Sequence, residues 1–104
     1  MKEITVQELK KKMDLNEDFQ LIDVRESFEY EICNLNGELI PMGDVIGEHE
    51  KISKDKMVVI HCKSGGRSGA IIGALEKMGY DNLYNLKGGI LAYAREIDNS
   101  LTIY

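Results

Sequence analysis

The chain has 104 residues, 43% of them hydrophobic and 30% charged, with one proline, no tryptophan and two cysteines. That composition excludes a disordered chain, and the length suits one compact core, so residues 1–104 are expected to form a single domain. Thirteen basic against eighteen acidic residues leave a net charge of −5, the wrong sign for a general nucleic-acid binder, so any anion site must be built locally.

The longest apolar stretch, Met57 to Ile60, falls far short of the roughly 20 residues needed to span a bilayer. Met1-Lys2-Glu3-Ile4 carries no secretory apolar run. Cys33 and Cys62 lack CxxC spacing and are too few for a disulfide scaffold, which points to free thiols in a cytoplasmic chain.

Thr5-Val6-Gln7-Glu8 reads as a capping box, predicting a short helix to about Met13. Phe19 to Val24 predicts a strand. Ser27 is placed to cap a turn of helix carrying Phe28, Tyr30 and Ile32. Leu39 to Met42 is a second, short extended segment. Residues 44–52 predict a helix with Val45, Ile46 and Ile52 apolar, weakened by Gly47. Met57 to His61, a continuous apolar run between charged and glycine-rich flanks, suits a strand buried on both faces of a parallel sheet. The pattern then turns helical, with Ile71, Leu75 and Met78 on one face and Ala70 and Ala74 beside them. Gly79 falls at the C′ position. Leu83 to Leu86 predicts a last strand and Ile90 to Ile97 a last helix. Alternation at this spacing predicts an α/β fold with a mostly parallel central sheet flanked by helices.

The chemistry concentrates in His61-Cys62-Lys63-Ser64-Gly65-Gly66-Arg67-Ser68-Gly69. Cys62 follows the central strand at its carboxyl end, where open α/β sheets bind ligands. Four of the ten glycines lie between positions 65 and 73, letting the backbone curl so that several N–H groups converge at a helix N-terminus. Lys63 and Arg67 add positive charge on an acidic chain. A thiol cradled in this way is expected to have a depressed pKa and to react as thiolate, or to carry an anionic persulfide. A buried, inert cysteine is the bland alternative, but it requires neither the Gly-Gly turn nor the flanking cations.

Other residues have plainer readings. Strand alternation points His61 away from Cys62, as a packed and hydrogen-bonded histidine. His49 is expected in solvent. Two isolated histidines offer no metal site, and Cys33 is a bystander thiol rather than a resolving one. Asp23 and Arg25 are expected to order the loop through a salt bridge or caps. Gly88-Gly89 marks a turn into the last helix.

Cys62-Lys63-Ser64-Gly65-Gly66-Arg67-Ser68 resembles the active-site loop of rhodanese domains, sulfurtransferases that pass sulfane sulfur through a cysteine persulfide. Leu21-Ile22-Asp23-Val24-Arg25-Glu26 with Phe28-Glu29-Tyr30 is similar to the family's first block. Asn82 to Ile90 is similar to its terminal block, and the three together cover roughly residues 19–93. Where the family usually has Gly-His-Ile-Pro-Gly-Ala, this chain has Cys33-Asn34-Leu35-Asn36-Gly37-Glu38 and is one residue shorter before Ile40-Pro41. That form is similar to the rhodanese module ending some ubiquitin-activating-like enzymes of molybdopterin and thiamine synthesis.

The resemblance implies a small rhodanese-like three-layer fold and transfer of sulfur from a donor such as thiosulfate through Cys62. Lys63, Ser64, Gly65, Gly66 and Arg67 would bind the small anionic donor, Asp23 and Arg25 would support the loop, and no metal or organic cofactor is required. The acceptor would be a thiol or a sulfur-carrier protein, with no role for nucleic acid or membrane. One rival is a cysteine phosphatase or arsenate reductase, whose loops have five residues between Cys and Arg where this chain has four. The other is a docking module without catalysis.

Overall fold

The computed structural model describes residues 1–103. Five strands and four helices follow in order: β1 (Glu3–Ile4), α1 (Val6–Asp14), β2 (Gln20–Asp23), α2 (Ser27–Ile32), β3 (Glu38–Leu39), β4 (Val58–His61), α3 (Gly66–Lys77), β5 (Leu83–Leu86) and α4 (Gly89–Glu96). The strands form one sheet in the order β1-β5-β4-β2-β3, with every neighbouring pair parallel. This is the expected α/β architecture, a central parallel sheet flanked by helices. β1 is too short to have left a periodic signal.

β4 lies at the centre and all four of its residues are buried. Val58, Ile60 and Cys62 point into a core shared with Ile71, Ile72 and Leu75 of α3. Val59 points into the opposite core, built from Val6 and Leu9 of α1 and Ile90 and Tyr93 of α4. Burial on both faces accounts for the unbroken apolar run. The β2–β4 register sets Asp23 opposite His61, so the loops after both strands leave the sheet at one edge.

The capping box at Thr5 forms as expected. The Glu8 N–H donates to Thr5 Oγ1 at 3.1 Å, and the Thr5 N–H donates to Glu8 Oε1 at 3.0 Å. Gly79, with φ +98°, follows α3 in the left-handed conformation expected of a C′ glycine.

Three local expectations are corrected. Residues 44–52 do not form an α-helix but two 3-10 turns, Met42–Asp44 and His49–Lys51, with Val45 and Ile52 buried beneath them. Two apolar residues this far apart, with Gly47 between them, anchor a loop without specifying a helical stripe. Ser27 is not the cap of α2. Glu26 is, and its N–H donates to Glu29 Oε1 at 3.0 Å. Met78 leaves the predicted apolar face because the helix ends there, and Ile72 takes its place beside Ile71 and Leu75.

Candidate functional site

The site is the turn between β4 and α3. β4 delivers Cys62 to the sheet's carboxyl edge, where its side chain is 1% exposed. Gly65 then adopts φ +112°, a left-handed conformation that reverses the chain and starts α3 one residue later. The reversal turns donors back on the sulfur. The Gly65 N–H donates to Cys62 Sγ at 3.1 Å and the Ser68 N–H at 3.5 Å, while Ser68 Oγ lies 3.4 Å from it.

Burial alone would push the Cys62 thiol up. Hydrogen bonding from Ser68 and from the Gly65 and Ser64 N–H groups outweighs it, and the net shift is downward. This cradle can hold an anion on sulfur, either a thiolate or a terminal sulfur carried on it.

The loop's outward carbonyls are satisfied from a second turn. The Ile90 N–H donates to Cys62 O and the Leu91 N–H to Lys63 O, both at 3.0 Å. This close approach requires Gly89: a Cβ there would lie 2.4 Å from Lys63 O, and its φ is +62°. Gly88-Gly89 is thus a turn into the last helix, as expected, and it also buttresses the loop.

Asp23 and Arg25 are fully buried and form the expected ion pair. Arg25 Nη2 donates to Asp23 Oδ2 at 2.9 Å and to Cys33 O at 2.7 Å. His61 is also fully buried, with Nε2 3.7 Å from Asp23 Oδ2 and Nδ1 3.4 Å from Cys62 O. Burial pushes its pKa down, against the pull of Asp23, so it is held neutral. It is packed as expected, with contacts too long for firm hydrogen bonds. Cys33 lies in the core opposite that of Cys62, and its carbonyl rather than its thiol is engaged by Arg25. His49, expected in solvent, is half-buried beneath Tyr80, whose hydroxyl donates to His49 O at 2.7 Å.

Of the predicted donor-binding residues, Lys63 is half-buried, Ser64 and Gly66 are exposed and Gly65 lines the sulfur. Arg67 is held by a partner that sequence reasoning missed. Its Nη1 and Nη2 donate to Glu29 Oε1 and Oε2 at 2.7 and 3.0 Å.

Ser68 and Asn85 were also missed as site residues. Ser68 Oγ donates to Asn85 Oδ1 at 2.6 Å, and Asn85 Nδ2 donates to Gly65 O at 3.2 Å, so Asn85 positions two of the residues that contact the sulfur. Ser68 stood inside the loop motif and Glu29 inside the first block, but their partners are 17 and 38 residues away and leave no local trace.

Among the described residues, no cluster of three or more His, Cys, Asp or Glu side chains could hold a metal, and no helix is long and apolar enough to cross a membrane.

A family model for the rhodanese-like domain matches residues 5–96. A Mycobacterium tuberculosis protein named "Probable adenylyltransferase/sulfurtransferase MoeZ" is 34% identical over 97% of this chain, which spans 26% of that protein's length. A sulfurtransferase of Allochromatium vinosum is 36% identical, with 89% of this chain and 88% of that protein covered. The crystal structure of a rhodanese-like domain protein from Staphylococcus aureus superposes with a TM-score of 0.83 at 33% identity, covering 100% of this chain and 99% of the other.

Proposed function

The chain belongs to the rhodanese-like domain family, and we propose that it is a sulfurtransferase whose Cys62 carries the sulfur as a persulfide. The observation that carries this reading is the convergence of the Gly65 and Ser68 N–H groups on one buried sulfur. Donors arranged before the reaction stabilise negative charge on sulfur without reorganising.

In the proposed cycle the Cys62 thiolate attacks the outer sulfur of a donor. The donor's S–S bond breaks and its electron pair leaves on the departing group, sulfite when the donor is thiosulfate. Cys62 retains the outer sulfur as –S–S⁻. A thiol or a sulfur-carrier protein then takes that sulfur and returns the thiolate. Residues Lys63 to Arg67 form the wall that the donor meets, through backbone N–H groups and the Lys63 side chain, with Arg67 paired to Glu29, while Asp23 and Arg25 fix the end of β2 and the Cys33 carbonyl. Residues 1–104 act as one domain in this scheme.

The arrangement at Arg67 weighs against the phosphatase reading. A phosphatase loop needs its arginine on the phosphoryl oxygens, and here both terminal nitrogens of Arg67 lie on Glu29. Four residues between Cys62 and Arg67 also make a ring suited to a single sulfur atom.

The test is turnover with thiosulfate or cysteine persulfide as donor and cyanide as acceptor, followed as thiocyanate. The native chain is expected to turn over and Cys62→Ala to be inactive. Undiminished turnover by Cys62→Ala, or hydrolysis of an aryl phosphate in place of sulfur transfer, would overturn the proposal.

A further inference from the structure

Resting on that reading, we infer that Glu29 sets the charge selectivity of sulfur entry: by holding Arg67 in a bidentate pair it turns the site away from dianionic donors such as thiosulfate and toward persulfides. Glu29 lies on α2 and Arg67 in the first turn of α3, one residue before Ser68, so the pair bridges two helices at the rim of the cradle. The contact is a parallel two-bond fork, the geometry in which a guanidinium is most fully satisfied by a carboxylate. Glu29 is itself fixed, with its side chain 7% exposed and Oε1 also accepting the Glu26 N–H at 3.0 Å. Arg67 hydrogen bonding, opposed by burial and assisted by the Glu26 N–H, holds the Glu29 carboxyl at about 2, so the pair persists at any working pH. Arg67 therefore reaches the donor with its charge already matched.

The donors differ in charge. Thiosulfate brings a dianion to the Cys62 thiolate and releases sulfite: Cys62–S⁻ plus S–SO₃²⁻ gives Cys62–S–S⁻ plus SO₃²⁻. A thiol persulfide brings a single negative charge on its reacting group and releases a thiolate: Cys62–S⁻ plus R–S–S⁻ gives Cys62–S–S⁻ plus R–S⁻. In both steps one S–S bond breaks, one forms, and the electron pair leaves with the donor's remainder. An uncompensated arginine would favour the dianion most, and Glu29 removes that advantage. The chain's net charge of −5 acts in the same direction.

The experiment follows persulfide formation at Cys62 by quenched intact-mass measurement against concentration of thiosulfate or cysteine persulfide. Each rate is normalised to reaction of the same donor with a free thiolate, in the native chain, Glu29→Gln and Glu29→Asp. The native chain is expected to favour cysteine persulfide at least about tenfold. Glu29→Gln is expected to raise thiosulfate use about tenfold through half-saturation, shrinking that preference, while Glu29→Asp keeps the charge and most of the preference. Equal normalised use of the two donors by the native chain would overturn the inference, even if the glutamine variant failed to fold. So would a folded Glu29→Gln with the native preference, or one in which both donors changed in parallel, as a purely structural role requires. An adduct from neither donor in the native chain would overturn the persulfide reading, and this inference with it.

Discussion

Two strand–glycine–helix units lie side by side in this molecule, β4 into α3 and β5 into α4, and their backbones do much the same thing. Each strand runs parallel to its neighbour and ends at the same edge, and each helix starts after a left-handed glycine, Gly65 with φ +112° and Gly88 with φ +79°. What differs is the acceptor in front of the turned-back N–H groups. At α4 they meet the carbonyls of Cys62 and Lys63, and the result is a brace. At α3 they meet a sulfur, and the result is a cradle for negative charge on it. The turn after β4 folds back on its own exit residue, Cys62, whereas the turn after β5 leaves Lys87 exposed and spends its N–H groups on the neighbouring loop. The helix N-terminus supplies the electrostatics in both, and the acceptor it faces decides how they are used.

The largest expected break of this contrast is Cys62→Ala, which leaves the donors in place with nothing to stabilise and is predicted to abolish sulfur transfer while the fold persists, as circular dichroism would show.

Next comes Gly89→Ala in the bracing turn. It places a Cβ 2.4 Å from Lys63 O at φ +62°. A loss of about 2–4 kcal/mol is expected, read as a melting temperature lowered by about 10 °C or more, with activity falling as the loop shifts. An unshifted melting temperature would show that the brace does not bear on the loop.

Acid acts on the clamp between α2 and α3. Glu29 titrates in the fold at about 2 against an ordinary 4.5, because Arg67 hydrogen bonds favour its charged form. Its contribution is therefore full above about pH 4.5 and lost as pH falls toward 2. With the one-third exposure of Arg67 discounted, that contribution is about 1–2 kcal/mol. Urea unfolding at pH 6 and pH 3 is expected to show a steeper loss for the native chain than for Glu29→Gln.

The smallest effect sharpens the contrast on the sulfur side. Ser68→Ala removes the hydroxyl 3.4 Å from the sulfur and the bond that ties it to Asn85, which in turn holds the Gly65 turn, so the N–H cradle loosens. Thiolate formation is then predicted to move to higher pH, and iodoacetamide alkylation at pH 7 to slow a few-fold. Alkylation unchanged across pH would mean that the backbone N–H groups alone set the pKa.

Features carried by neighbouring residues were legible in the sequence. The capping box from Thr5 to Glu8 spans one helical turn, and the unbroken run ending at Ile60 records burial on two faces, so both could be read directly. Gly79 was placed at its turn for the same reason. Cys62 and its loop were legible because glycines and cations cluster within a few residues of it.

Other features depend on partners far along the chain. Arg67 read as a cation for the donor because nothing local announces Glu29, and Asn85 looked like an ordinary strand residue until the fold set it against Ser68 and Gly65. The segment 44–52 failed for another reason: Val45 and Ile52 are buried by the fold without any helix between them.

An anionic sulfur held on Cys62 by the turn after β4 is read directly by intact mass. The desalted chain is weighed intact after brief exposure to cysteine persulfide or thiosulfate, then again after dithiothreitol. The native chain is expected to gain about 32 Da, one sulfur atom, located at Cys62, lost on reduction and absent from Cys62→Ala. A native chain that gained no sulfur from either donor, or gained it at Cys33, would contradict this expectation.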